Sequence, residues 1–257
     1  MPESNVDQEL VGAAQYGHVE RVRLLLPVSD AKANGSEALR WAAQNGHAEC
    51  VRLLLPGSDP KAMESHSLRA AAELGHVECV RLLLPVSDAK ARESLPLCLA
   101  SEHGHVECVR MLLPVSNPKA MESHALRAAA SNGHAECVRL LLPVSDAKVA
   151  ESLPLRWAAE HGHVECVRLL MSASQPLCEI DGLLERVIEG GHAKVAALLV
   201  EAEPRLIDGI NLPKCLAQAL EKSHGSLASY LSSIMDQKEI LGVAPHPRHI
   251  SLGAPRL

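Results

Sequence analysis

The sequence predicts an all-α protein, a solenoid of seven to eight helix-turn-helix repeats joined by short loops. Three observations predict it. The pair Gly-His begins at positions 17, 46, 75, 104, 133, 162 and 191, every interval being 29 residues, and self-similarity at a fixed period of that length marks a stack of equivalent units. Proline recurs at 27, 56, 85, 114 and 143, where it stops one helix per repeat. The chain has no Phe, and its only aromatic residues are Tyr16, Trp41, Trp157 and Tyr230. A compact core would bury several large rings, so this core rests on Leu, Val and Ala. The 257 residues alone would suggest one or two domains. The period makes them one elongated array, about 70–80 Å long at roughly 10 Å per repeat.

Residues 1–7 read as an N-terminal extension. The repeats run 8–36, 37–65, 66–94, 95–123, 124–152, 153–181, 182–212 and 213–238. The seventh is diverged, and the eighth fits once three residues are inserted, which sets SHGSLASYL (223–231) on GHAKVAALL (191–199). A second period of 58 is also present: HSLRAAA at 66 returns as HALRAAA at 124. Within a repeat the first helix runs from a serine (Ser36, Ser65, Ser94, Ser123, Ser152) to the glycine. Ser is a good N-cap, Pro96 and Pro154 fall in the first turn where a missing N–H costs least, and Gly suits the left-handed position after a helix. The second helix covers HxECVRLLL and stops at the proline. The loop VSDAKA leads to the next serine. Helices this short are unstable alone, so each must bury its apolar face on neighbouring repeats. Residues 239–257, with Pro and Gly and no helical period, read as a tail.

The run LPLRWAAEHGHVECVRLLL (153–171) resembles the ankyrin repeat, whose pattern is close to TPLHxAAxxGHxxIVxLLL, and the match recurs over about four-fifths of the chain. The resemblance implies an ankyrin-like curved stack of helix pairs that binds other proteins. It also implies that the Gly-His histidine holds loop and backbone groups between repeats. The repeat here has 29 residues, against about 33 in the family. The shortening falls where the family carries GADVNAxDxxG and a β-hairpin finger. Here PVSDAKARES (85–94) has no Gly, which predicts a tight turn, or one helical turn started by Ser29 or Asp30, in place of the finger. The family's His after Pro-Leu is replaced by Arg40, Arg69, Cys98, Arg127 and Arg156.

Terminal repeats have one face toward water and should be atypical. Cys50, Cys79, Cys108, Cys137 and Cys166 share one register position, and in the first repeat that position is Arg21. This predicts a polar N-terminal end. At the other end Tyr230 replaces a ladder Leu and Ser223 replaces Gly, as suits a C-terminal cap.

The ladder cysteines stand where the family has Ile or Val. Packed helices lie roughly 8–10 Å apart and a disulfide needs Cα atoms within about 7 Å, so these are expected to be free thiols packed as small hydrophobes in a reducing, cytoplasmic setting. Cys98, Cys178 and Cys215 lie outside the ladder. His-x-x-Cys recurs at 47/50, 76/79, 105/108, 134/137 and 163/166, but two ligands per repeat fall short of the four a structural zinc needs, so no metal is predicted. Glu and Arg at i and i+3 (20/23, 49/52, 78/81, 107/110, 136/139, 165/168) predict solvated surface pairs. Lys32, Lys61, Lys90, Lys119 and Lys148 form a loop ladder, and an Asp two residues before four of them largely neutralises it. With a net charge of −6, nucleic-acid binding is the weakest reading. No nucleophile elbow, Walker loop, HExxH or dinucleotide-binding glycine pattern is present, so neither catalysis nor a cofactor is predicted. The start, Met1-Pro2-Glu3-Ser4-Asn5, has no signal-peptide character, and no apolar run reaches the roughly 18 residues of a membrane span.

Positions shared by all repeats build the scaffold, so recognition is expected where repeats differ. The most variable pair precedes Gly-His: Gln15-Tyr16, Gln44-Asn45, Glu73-Leu74, Glu102-His103, Ser131-Asn132 and Glu160-His161. In the family this pair lies on the concave helix face. A second variable position holds Trp41 and Trp157, either as hot spots or as packing between repeats. The row Arg40, Arg69, Arg127, Arg156 reads either as a basic strip or as inter-repeat hydrogen bonding. The functional expectation is a monomeric, non-catalytic scaffold binding a protein partner in its concave groove. A second reading is a bacterial effector, delivered into a host cell, that uses the same groove.

Overall fold

The structure, a computed structural model, describes residues 5–174, 176, 177, 180 and 182–240. Residues 1–4 of the extension, Cys178 and the tail from 241 onward lie outside the described residues. Sixteen α-helices and no strands are found among the described residues. In the first six repeats they alternate as a first helix, α1 (Asn5–Gln15), α3 (Ala33–Gln44), α5 (Ala62–Glu73), α7 (Ala91–Glu102), α9 (Ala120–Ser131) and α11 (Val149–Glu160), and a second, α2 (Val19–Leu25), α4 (Ala48–Leu54), α6 (Val77–Leu83), α8 (Val106–Leu112), α10 (Ala135–Leu141) and α12 (Val164–Met171). Then follow α13 (Leu183–Glu189), α14 (Ala193–Ala202), α15 (Leu212–Glu221) and α16 (Gly225–Ile240). Helix α16 carries two residues into the segment expected to be tail. The chain forms two compact units, one of residues up to 158 with 165–174, the other of 159–164 with the residues from 175 on.

The first unit is a helical-repeat solenoid with two rows of helices. Helices α1, α3, α5, α7 and α9 pack side by side in one row, and α2, α4, α6, α8 and α10 in the other. Its core is a set of ladders one period apart. Leu10, Leu39, Leu68, Leu97, Leu126 and Leu155 are fully buried between the rows, as are Leu54, Leu83, Leu112, Leu141 and Leu170. Val51, Val80, Val109, Val138 and Val167 sit beside the ladder cysteines, themselves buried and free. Each buried Leu or Val contributes about 1.5–3 kcal/mol. A ladder of medium aliphatics fills a layer two helices deep, and this is why the chain manages without Phe. Burial raises the thiols of Cys79, Cys98, Cys108, Cys137 and Cys166 to about 11.

Two sequence expectations about helix ends need correction. The second helices leave α geometry at Leu25 and Leu54, before the proline, and Pro27 and Pro56 sit inside a short 3-10 turn that follows. The ladder serines are not N-caps. Ser65 has φ 57 and ψ 43, left-handed rather than extended, and it follows Met63 and Glu64 in the same conformation. Arg92-Glu93-Ser94, Met121-Glu122-Ser123 and Ala150-Glu151-Ser152 repeat this three-residue left-handed turn, as does Asn34-Gly35-Ser36. The serine hydroxyl serves the next repeat: Ser36, Ser65, Ser94 and Ser123 Oγ accept from the backbone N–H of Asp59, Asp88, Asn117 and Asp146 at 2.7–2.9 Å. Asp7 is the first rung of this ladder, its Oδ1 accepting from Asp30 N at 2.8 Å. The expected turn does start on Asp30, whose Oδ1 accepts from Lys32 N at 2.8 Å, and the pattern recurs through Asp146 and Lys148 at 2.9 Å. Short loops stitched side by side by serine take the place of a hairpin finger.

The first repeat has the polar end expected of it: Arg21 pairs with Glu9 at 3.2 Å where its successors bury a cysteine. All six predicted Glu–Arg pairs form, at 3.2–3.9 Å and well exposed. In the second unit Ser223 takes a left-handed backbone, φ 60, at the position that aligns with glycine, and Tyr230 is half-buried on α16.

Candidate functional site

The pair before each Gly-His closes the first helix, and its backbone is held by the following repeat. His47 Nε2 meets the Gln15 carbonyl at 3.0 Å, His76 that of Gln44, His105 that of Glu73 and His134 that of Glu102, each at 2.9 Å. In the second unit His192 meets Glu160 O at 2.8 Å. A carbonyl only accepts, so Nε2 carries the proton in every rung. The ring lies on the preceding glycine. A Cβ at Gly46 would stand 2.7 Å from His76 Nδ1, and at Gly75 2.4 Å from His105 Nδ1. Gly46 and Gly75 also have φ of 76 and 73, where a side chain is strained. The glycine therefore serves twice, as the left-handed stop of one helix and as the slot for the next histidine. At the last rung His224 fills the Gly191 slot while Lys222 Nζ donates to Glu189 O at 3.1 Å.

With the backbone fixed, the pair's side chains are what vary. Tyr16 is 68% exposed and Leu74 48%. Asn45, Glu73, Glu102, His103, Asn132 and His161 are also exposed, while Gln15, Gln44, Ser131 and Glu160 are half-buried. Not all are equally available. Asn45 and Asn132 turn back to cap their own helices, each Nδ2 donating to the carbonyl four residues earlier at 2.9 Å. Glu160 is paired with Arg186 at 2.8 Å. His103 stacks on His105, and His161 on His163, with ring centres 6.1 Å apart. The two tryptophans are half-buried: Trp41 Nε1 donates to Glu37 at 3.3 Å, and the Arg127 guanidinium lies 5.8 Å over the Trp157 ring.

The arginine row forms bonds between repeats, the second of the two readings its sequence allowed, rather than a basic strip. Arg40, Arg69 and Arg127 donate to the carbonyls of Asn34, Met63 and Met121 at 3.4, 3.1 and 2.9 Å, each acceptor lying at the end of the preceding repeat. Each thus clamps the left-handed turn that opens its helix. Arg127 and Arg156 side chains are only 16% and 22% exposed, leaving little charge to offer a partner. The sequence carried a signal for this arrangement. The first repeat ends with Asn34-Gly35 in that turn, the residue types that tolerate a left-handed backbone.

His and Cys of the His-x-x-Cys series diverge. The imidazole faces the preceding repeat's carbonyl and the thiol faces the core, and no group of three or more His, Cys, Asp or Glu able to hold a metal occurs among the described residues. No described helix is long and apolar enough to cross a membrane.

The ankyrin repeats family model matches three times, over residues 8–64, 63–122 and 115–181. Among solved structures, the ankyrin repeat domain of human ASB11 aligns with a TM-score of 0.64, covering 76% of this chain and 97% of that one at 24% identity. At that identity the likeness concerns the fold. A comparison with curated proteins finds no relative that matches.

Proposed function

The chain belongs to the ankyrin repeat family, and on that premise we propose that it is a non-catalytic scaffold gripping a protein partner along its first-helix row. Ankyrin repeats are generally protein-interaction modules. One observation supports the pair residues as the contact surface: the histidine rung holds the backbone of Gln15, Gln44, Glu73 and Glu102 in one geometry while the side chains differ from repeat to repeat. A rigid row of that kind lowers the ordering cost of binding. Tyr16, Leu74 and His103 are its exposed apolar and aromatic members, the types that suit an interface core. Trp41 and Trp157 lie on the same helices and extend the row.

A photo-crosslinking residue placed at Tyr16, Leu74 or His103, compared with one at Arg52 or Arg110 on the second-helix row, tests this in cell extract. Adducts of one mass from the first set and none from the second are expected. Adducts from Arg52 and Arg110 alone would overturn the assigned surface.

A further inference from the structure

Residues 62–72 and 120–130 read AMESHSLRAAA and AMESHALRAAA, nearly one string set two repeats apart. Their surroundings differ. Met63 ends the second repeat, and its side chain reaches back along that repeat: its Cγ lies 3.5 Å from the place a Cβ on Gly35 of the first repeat would take, and its Sδ accepts from Arg40 Nη1 at 2.7 Å. Its carbonyl accepts from Arg69 Nη2 at 3.1 Å. Met63 is thus a latch between repeats two and three. For Met121 the residue corresponding to Arg40 is Cys98, a buried thiol.

Beside the latch, Arg69 Nη2 also donates to His66 Nδ1 at 3.3 Å. A guanidinium only donates, so Nδ1 is bare and the ring neutral. The charges acting on His66 are Arg69 and Glu73 of its own helix and Arg40 of α3. Arg92 and Glu64, paired with each other at 2.9 Å, act on Arg69. Burial and the two arginines outweigh Glu73 and hold the His66 pKa below the ordinary imidazole value.

We propose that His66 is an acid-sensitive release for the Met63 latch: the neutral ring seats Arg69 on the left-handed turn, and a proton on Nδ1 expels that guanidinium and loosens the join between repeats two and three. The protonated ring cannot accept from Arg69, and it sets a third cation beside Arg40 and Arg69. Arg69 then leaves the Met63 carbonyl and the turn loses its clamp. The fifth repeat is the internal comparison. Arg127 holds Met121 O at 2.9 Å but is also drawn to the Trp157 ring at 5.8 Å and to Glu122 at 3.9 Å, so Met121 stays in place when His124 takes up its proton.

The test is an NMR titration of the full chain from pH 8 to pH 5 with labelled methionine methyls, for the natural sequence and for His66→Asn, whose amide oxygen accepts but does not titrate. The Met63 methyl is expected to shift with the His66 ring, at a midpoint below about 6.5, while Met121 moves little and Met63 in His66→Asn stays flat. A Met63 signal that holds still while His66 protonates overturns the proposal without need of the variant. A Met63 shift that persists unchanged in His66→Asn overturns it as well.

Discussion

Single residues carry the array through two kinds of rung, and each can be broken alone. Gly75→Ala forces a left-handed alanine, at a cost of about 1–2 kcal/mol, and drives its methyl into the His105 ring. Losing the His105 bond to Glu73 O adds about 1 kcal/mol, so urea unfolding should show a loss of about 2–3 kcal/mol. Ser65→Ala removes the acceptor that Asp88 N uses at 2.9 Å. The expected loss is about 1–3 kcal/mol, the cost of leaving a backbone donor without a partner. A Ser65→Ala protein as stable as the natural one would mean that the serine ladder does not join the loops. These two rungs differed in legibility. The Gly-His pair announced itself by its spacing and by its likeness to a known repeat. The serine looked like a local N-cap because its partner lies 23 residues away, and nothing in a short window reveals that distance.

At the level of elements, the helix pairs and their order were readable from the 29-residue period, and the six Glu–Arg pairs from simple i to i+3 spacing. The turns between pairs were not. Met63-Glu64-Ser65 has no preference for a left-handed backbone, and bonds from beyond the turn hold it there: Ser65 Oγ accepts from Asp88 N at 2.9 Å, and Arg69 clamps Met63 O. Strain held this way can be relieved. Glu93 has φ 57 and is exposed, so Glu93→Gly should raise stability by about 0.5–1 kcal/mol, the left-handed penalty less the added chain entropy of glycine. A denaturant melt that shows destabilisation would contradict this. The sequence left the arginine row open between a basic strip and bonds to the neighbouring repeat for the same reason, since its acceptors exist only once the left-handed turn has formed.

Across the molecule, acid and alkali should bracket one stability plateau. Burial is the main cause that lowers the pKa of His66, His105 and His124. The unfolded chain therefore binds protons below about pH 6.5 that the folded chain refuses, and stability falls as pH drops through that value. Burial raises Cys79, Cys98, Cys108, Cys137 and Cys166 to about 11 from 9.0. The unfolded thiols then lose protons that the folded ones keep, and stability falls as pH rises above about 9. Thermal melts should give a Tm that is flat near pH 7–8.5 and lower on both sides, and thiol reagents should label these five cysteines of the native protein slowly at pH 8. Rapid labelling at those five positions would contradict the burial of these thiols.

The division of labour between fixed and variable positions is the central claim, and affinity capture with quantitative mass spectrometry tests it most directly. The variant carries Tyr16→Ala, Leu74→Ala and His103→Ala, all exposed side chains whose loss leaves every rung in place. It should melt within a few degrees of the natural protein and lose at least about tenfold of the partner captured, a difference of about 1.4 kcal/mol. Undiminished capture by a folded variant would place recognition elsewhere on the molecule.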